Sequence, residues 1–310
     1  QIIQVGGSYS ELGASATDNY DDNAALTAQI IIDATAVNTN VVNDYIVTYN
    51  VADSNGNDAV QVTRTVSVVD TSIPVITLNS PESNPQIIQV GGSYSELGAS
   101  ATDNYDDDAT LTAAIVIDAT AVNTNVVADY TVTYNVTDSN NNAAVQVERT
   151  VSVVDSTIPV ITLDTPASNP QIIQVGGTYN ELGASATDNY DDDATLTAAI
   201  VIDATAVNTN VVNDYIVTYN VTDSNGNDAV QVERTVSVVD TTIPVINLSG
   251  ENPQTIIINT TYSELGATAT DNYDNDATLT DAIVIDATAV QVGTVGSYLV
   301  TYNVTYSNDN

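Results

Sequence analysis

The chain has 310 residues, with 40 acidic side chains against three basic ones and a formal charge of −37. A surface of that sign repels nucleic acid and anionic membranes and attracts cations. Histidine, cysteine and lysine are absent, which excludes disulfides, thiolate metal sites and the usual nucleophile–base pairs. No apolar run approaches the roughly 18 residues of a membrane-spanning helix.

Repetition organises the rest. "QIIQVGG" begins at Gln1, Gln86 and Gln171, and a degenerate "QTIIINT" begins at Gln254. The period, 85 residues and then 83, is too long for a solenoid turn and fits a whole small domain. The expected domains are 1–70, 71–155, 156–240 and 241–310.

The second repeat shows the predicted elements in chain order. "IPVITL" from Ile73 reads as an opening strand, followed by "QIIQV" from Gln86 and "ELGASAT" from Glu96. An acidic turn, "DNYDDD" from Asp103, precedes a further strand, "AAIVID", from Ala113. In "DYTVTYNVTD", Tyr130, Val132, Tyr134 and Val136 share one face and Thr131, Thr133 and Asn135 the other. That is the period-two pattern of a half-buried strand. "DSNNN" from Asp138 turns the chain into "AVQVERTVSVV". About seven short strands per repeat, with no sustained helical periodicity, predict an all-β chain: a tandem array of immunoglobulin-like β-sandwich domains.

Two details sharpen this. Tyr45, Tyr130, Tyr215 and Tyr298 each open a strand after a polar turn, the place of a tyrosine corner. Arg149 shares its parity with Val147, Val151 and Val153, which aims a guanidinium at the core. A β-bulge, or a pairing at the sandwich edge, is expected in preference to a truly buried pair.

The markers "YxELGAxAxDxxD", "YxVTYxVxDxxGN" and "VxRTVxVxD", after an Ile–Pro opening strand, recur along essentially the whole chain. They resemble the bacterial immunoglobulin-like repeats of surface proteins, a family related to hyalin repeats and also found in pesticidal crystal proteins. The resemblance implies an extracellular or cell-surface location and a spacer role. In such domains the loop after the second strand and the final hairpin loop lie where the chain enters, and the last strand leaves at the opposite end.

That topology implies acid-rich junctions, similar to those of cadherins, which hold calcium. The first would draw on Glu11, Asp70, Asp103, Asp106 and Asp138, beside Asp107 and Asp108. The second would use Glu96, Asp155, Asp188, Asp191 and Asp223. The third would use Glu181, Asp240, Asp271 and Asp274 and bind more weakly, because Tyr306 stands where the siblings have Asp53, Asp138 and Asp223. Calcium takes six to eight oxygen ligands and suits such sets better than magnesium, which demands a small rigid octahedron. Calcium held within single loops, or solvated acidic turns with no specific metal, remain open alternatives. "DSNGND" at Asp53 begins like an EF-hand loop, but its twelfth position is Arg64, so that match fails.

No catalytic role is expected, since any carboxylate pair would recur in every repeat and short loops offer no deep cleft. "NVT" at Asn135, Asn220 and Asn303 matches the glycosylation sequon. The functional readings are a stalk or filament, a glycan- or surface-binding module, and a spacer within a larger secreted protein. Expected partners are neighbouring copies or a continuation of the same array. The first repeat lacks the "IPVITL" strand and the last stops within its final hairpin. A window on a longer array and a polymer completed by strand addition both account for this.

Overall fold

A computed structural model describes residues 1–79, 84–164 and 169–305. Two compact units divide the chain, residues 1–155 and 156–310. In the first unit the opening repeat contains β1 (Ile2–Gln4), α1 (Asn23–Ala28), β2 (Ile31–Asp33), β3 (Asn43–Asn50) and β4 (Val62–Val69). The next repeat contains β5 (Val75–Leu78), β6 (Gln86–Gln89), β7 (Ala99–Thr102), α2 (Asp108–Ala113), β8 (Val116–Asp118), β9 (Ala128–Asn135) and β10 (Val147–Val154). The second unit repeats this order as β11 (Val160–Leu163), β12 (Gln171–Gln174), β13 (Ala184–Thr187), α3 (Asp193–Ala198), β14 (Val201–Asp203), β15 (Asn213–Asn220) and β16 (Val232–Val239). Its last repeat has β17 (Val245–Leu248), β18 (Ala267–Thr270), α4 (Asp276–Asp281), β19 (Val284–Asp286) and β20 (Thr301–Asn303).

The second repeat shows how the layers form. One sheet has the order β6-β10-β9-β8, and β5 pairs with β7 in the other. β6 runs parallel to β10, whereas β9 is antiparallel to both β10 and β8. Val132, Tyr134 and Val136 are buried, and with Ile76, Ile88, Ala101 and Val151 they form the core between the sheets. The alternation that predicted these strands is thus the alternation that fills the sandwich. The tyrosine corners are present: Tyr45, Tyr130, Tyr215 and Tyr298 each donate a phenolic hydrogen to the carbonyl four residues upstream, at 3.0 to 3.1 Å.

The sequence shows no helical period, yet each repeat contains a six-residue helix. Less than two turns is too short for periodicity to register. The local signal is a cap: Asp107 Oδ1 accepts from the Thr110 amide at 2.9 Å, and Leu111 is the buried anchor. Ala113, expected in a strand, ends this helix, and only Val116–Asp118 of "AAIVID" is extended.

Arg149 also departs from expectation. The β9–β10 register runs unbroken through Arg149 opposite Val132, so no bulge turns it outward. Its side chain is buried, 1% exposed. Nε donates to the Tyr134 hydroxyl at 3.2 Å, and Nη2 donates to the carbonyls of Asn79 at 2.9 Å and Gly98 at 3.3 Å. Tyr134 in turn donates to Glu96 Oε1 at 2.6 Å, and Tyr94 donates to Glu96 Oε2. One hydroxyl therefore links guanidinium to carboxylate, and two backbone carbonyls accept from Nη2. Arg234, Tyr219, Glu181 and Tyr179 repeat the chain of bonds in the third repeat. Among the described residues no strand brings the first repeat a counterpart of Asn79. Arg64 is 30% exposed there and lies 3.5 Å from Glu11 directly.

The glutamate of this network is strongly acidic in the first repeat. Hydrogen bonds from Tyr9 and Tyr49, then from the Gly13 amide, and attraction to Arg64 bring Glu11 down to about 2 from its ordinary 4.5, against a smaller opposing effect of burial. Burial and the same carboxylate push Tyr9 up to about 12.

Two outcomes are expected. Replacing Tyr134 with Phe leaves Arg149 and Glu96 without their common hydroxyl, so it should lower the stability of its repeat by about 1–3 kcal/mol. Denaturant melts of the variant and the parent chain test this. A carboxylate whose pKa is lowered by folding stabilises the fold fully above its unfolded value, and that contribution disappears as pH falls through the folded value. Stability should therefore fall between pH 4.5 and about 2, and Glu11→Gln should flatten that part of the profile in acid titrations followed by circular dichroism.

Candidate metal centre

Backbone turns place the acids of the first unit. After β7, Asp103 Oδ2 accepts from the amides of Tyr105 at 2.9 Å and Asp106 at 3.4 Å, closing the acidic loop on itself. Aspartate favours such turns because its short carboxylate reaches the amides two and three residues on. Asp108 Oδ1 accepts from the Asp103 amide at 3.3 Å, and Asp107 caps α2. Those two acids are thus held by the loop and helix start.

The final hairpin loop supplies Asp138. Its Oδ1 accepts from the amides of Asn140 at 2.9 Å and Asn142 at 2.7 Å, and its Oδ2 from Asn142 Nδ2 at 2.8 Å. The loop needs one left-handed residue. Gly56 and Gly226 provide it in the first and third repeats, at φ +83° and +89°. Asn141 does so here at φ 71°, a conformation asparagine tolerates. Asn142 Nδ2 also donates to the Asp70 carbonyl at 3.2 Å, tying the hairpin to the segment that leaves β4. The four-residue Asp138–Asn142 spacing in "DSNNN" is the sequence signal for this tether.

Asp70, Asp103, Asp106 and Asp138 therefore converge, each offering an oxygen within 4.8 Å of the others. Asp70 is 5% exposed and Asp138 is buried as well. Asp70 Oδ1 accepts from the Ser72 amide at 3.1 Å. Asp70 Oδ2, Asp103 Oδ1 and Asp106 Oδ2 are buried and receive no hydrogen bond from the described residues. Buried anionic oxygens without donors are costly, and a hard cation is the group that fits them. Tyr105, carried by the acidic loop, accepts from the Val42 amide of the first repeat at 3.4 Å.

In the second unit, Asp240, Asp271 and Asp274 also converge within 4.8 Å. Asp271 Oδ2 accepts from the Tyr273 and Asp274 amides. Tyr306, the expected gap in this set, lies outside the described residues. Asp188 repeats the acidic turn, accepting from the amides of Tyr190 at 2.9 Å and Asp191 at 3.4 Å. Asp223 repeats the hairpin loop. Burial raises the pKa of Asp223, but hydrogen bonds from the Asn227 amide and side chain outweigh it and leave the net shift downward. Asp155 closes the first unit, directly after β10.

The glutamates stand apart. Glu11, Glu96 and Glu181 belong to none of the aspartate groups found among the described residues. Each is held by two tyrosines and by the amide two residues on, that of Gly13, Gly98 or Gly183. The tyrosines compete for these carboxylates, and the "YxELG" spacing places the first tyrosine only two residues away.

The family comparison agrees with this repeat architecture. A family described as "Bacterial surface protein, Ig-like domain" matches residues 1–68, 76–153, 161–238 and 246–310. The pesticidal crystal protein Cry22Aa of Bacillus thuringiensis is 27% identical over 313 residues, covering 96% of this chain and 39% of that protein. Internalin I of Listeria monocytogenes serotype 4b (strain F2365) is 28% identical over 280 residues, covering 84% of this chain and 13% of internalin I. The chain thus spans well under half of either relative. Among solved structures, the M60 catalytic domain with CBM51-1 and CBM51-2 from Clostridium perfringens ZmpB aligns over 73% of this chain and 30% of its own, at 15% identity and a TM-score of 0.23. Among the described residues no helix is long and apolar enough to cross a membrane.

Proposed function

The chain belongs to the bacterial surface protein Ig-like domain family, and on that premise we propose that it is an extracellular structural array, a stalk or filament segment stiffened by calcium between successive repeats. One observation carries the metal: Asp70, Asp103 and Asp106, each with a buried oxygen that receives no hydrogen bond from the described residues, converge with Asp138. Asp70 comes from the segment leaving the first repeat and the other three from the second, so a shared ion links two sandwiches. Without an ion the four charges repel one another and favour separation of the repeats; with it, the same charges hold them together.

Calcium, at 2.3–2.6 Å from six to eight oxygens, suits four acids with carbonyls and water making up the shell. Asp240 with Asp271 and Asp274 has one acid fewer and should bind more weakly. The role is non-catalytic: near-identical repeats multiply length and give no single repeat a distinct site. The family and the similarity to internalin I support a place at the bacterial surface.

Calorimetric titration with calcium, thermal melts and small-angle scattering test this. Calcium should bind and raise the melting temperature; at a hundred times Kd the gain is about 2.7 kcal/mol per site. Magnesium should do less. Asp70→Asn combined with Asp106→Asn should weaken the first site by at least about tenfold and leave the others intact. Melts and scattering profiles identical in calcium and in chelator would rule the proposal out.

A further inference from the structure

We propose that the Val41–Val42 peptide group is a docking socket for Tyr105, and that this contact fixes the rotation of the second repeat against the first. The inference rests in part on the metal assignment above, because the loop that carries Tyr105 is the acidic loop of that site. The tyrosine corner supplies one half of the socket: the Tyr45 hydroxyl donates to the Val41 carbonyl at 3.0 Å. The amide of the same peptide group belongs to Val42, and it donates to the Tyr105 hydroxyl at 3.4 Å. One peptide group is thus held by a phenol of its own repeat on one side and by a phenol of the next repeat on the other. The second unit forms the same pair of contacts. Tyr215 donates to the Val211 carbonyl at 3.1 Å, and the Val212 amide donates to the Tyr273 hydroxyl at 3.4 Å.

Both halves of the contact are held by their own repeats. Asn38 braces the socket loop: its carbonyl accepts from the Val41 amide at 3.3 Å and its Oδ1 from the Asn40 amide at 3.1 Å. Asn208 does the same for Val211 and Asn210. On the incoming side, Asp103 Oδ2 accepts from the Tyr105 amide at 2.9 Å, while Asp103 Oδ1 is buried and receives no hydrogen bond from the described residues. An ion on Oδ1 would therefore steady, through the same carboxylate, the backbone of the residue that docks. Asp271 divides its two oxygens in the same way beside Tyr273.

The place of the socket gives it leverage. β3 pairs with β4 so that Asn43 lies opposite Val68, and Val42 directly precedes β3 while Asp70 directly follows β4. Socket and exit segment therefore lie on neighbouring strands, about 4.8 Å apart across the sheet. A joint held only at Asp70 is a pivot; a second contact one strand away resists turning about it. Tyrosine suits the task, since its ring gives reach with few rotatable bonds and its hydroxyl oxygen can accept from an amide.

The test uses the full chain, which contains no cysteine. Thr63→Cys and Thr131→Cys, at exposed positions on β4 and β9, then attach one spin label to each of the first two repeats. Double electron–electron resonance reads the distance distribution between them in calcium and in chelator. In calcium, Tyr105→Phe should raise the population outside the main distance peak by about two- to tenfold, the effect of losing one hydrogen bond. Tyr273→Phe, in the other unit, should leave that distribution as in the parent. Calorimetric calcium affinity should be the same in Tyr105→Phe as in the parent, since the hydroxyl docks and is no ligand. An unchanged distribution in Tyr105→Phe, or equal broadening by Tyr273→Phe, would overturn the proposal. So would a fall in calcium affinity with Tyr105→Phe, because the broadening would then report the ion. Parent and variant are compared in each buffer. A chain that binds no calcium would rule out the metal assignment, and the same broadening in chelator would still decide for or against the socket.

Discussion

A carboxylate has two oxygens, and the turns of this chain use only one on Asp70 and on Asp103. Amides of the local backbone hold Asp70 Oδ1 and Asp103 Oδ2, which fixes the direction of the oxygen left over. Asp70 and Asp103 meet Asp106 and Asp138 where the first repeat hands the chain to the second. The proposed function follows from that geometry. Flexible acids in a solvated loop would relieve their mutual repulsion by moving apart; acids locked by their own turns can relieve it only through a cation or through separation of the domains that carry them.

The same chain uses acids in a second, different way. Glu96 lies beneath two phenols, one hydroxyl away from a buried guanidinium. Arg149 there joins the last strand to the end of β5 and to the approach of β7, so it connects both layers of the sandwich. A buried guanidinium is expensive unless its donors find acceptors, and the carbonyls at the ends of two strands accept from Nη2. In the first repeat Arg64 is partly exposed and pairs with Glu11 directly.

These two uses separate the aspartates from the glutamates by reach and by neighbours. Aspartate closes tight turns, and its remaining oxygen stays near the backbone. Glutamate extends to the phenols on either side, and three donors then occupy it. Tyrosine, the only aromatic residue of this chain, holds the glutamates apart from the aspartate groups.

The sequence alone determined the repeat, the sandwich class, the inward parity of the tyrosine-containing strands, the tyrosine corners and the candidate aspartates. Each is written locally, in a period of two, an 85-residue recurrence or an Asx turn. Tertiary structure decided the rest. The six-residue helices depend on one cap and one buried leucine and are shorter than any period. Burial of Arg149 depends on carbonyls of Asn79 and Gly98, 70 and 51 residues away. The diversion of the glutamates depends on Tyr49, Tyr134 and Tyr219, each 38 residues further on. Spacing along a chain specifies which groups can form a turn; which groups compete for the same oxygen is settled only when distant strands are brought side by side.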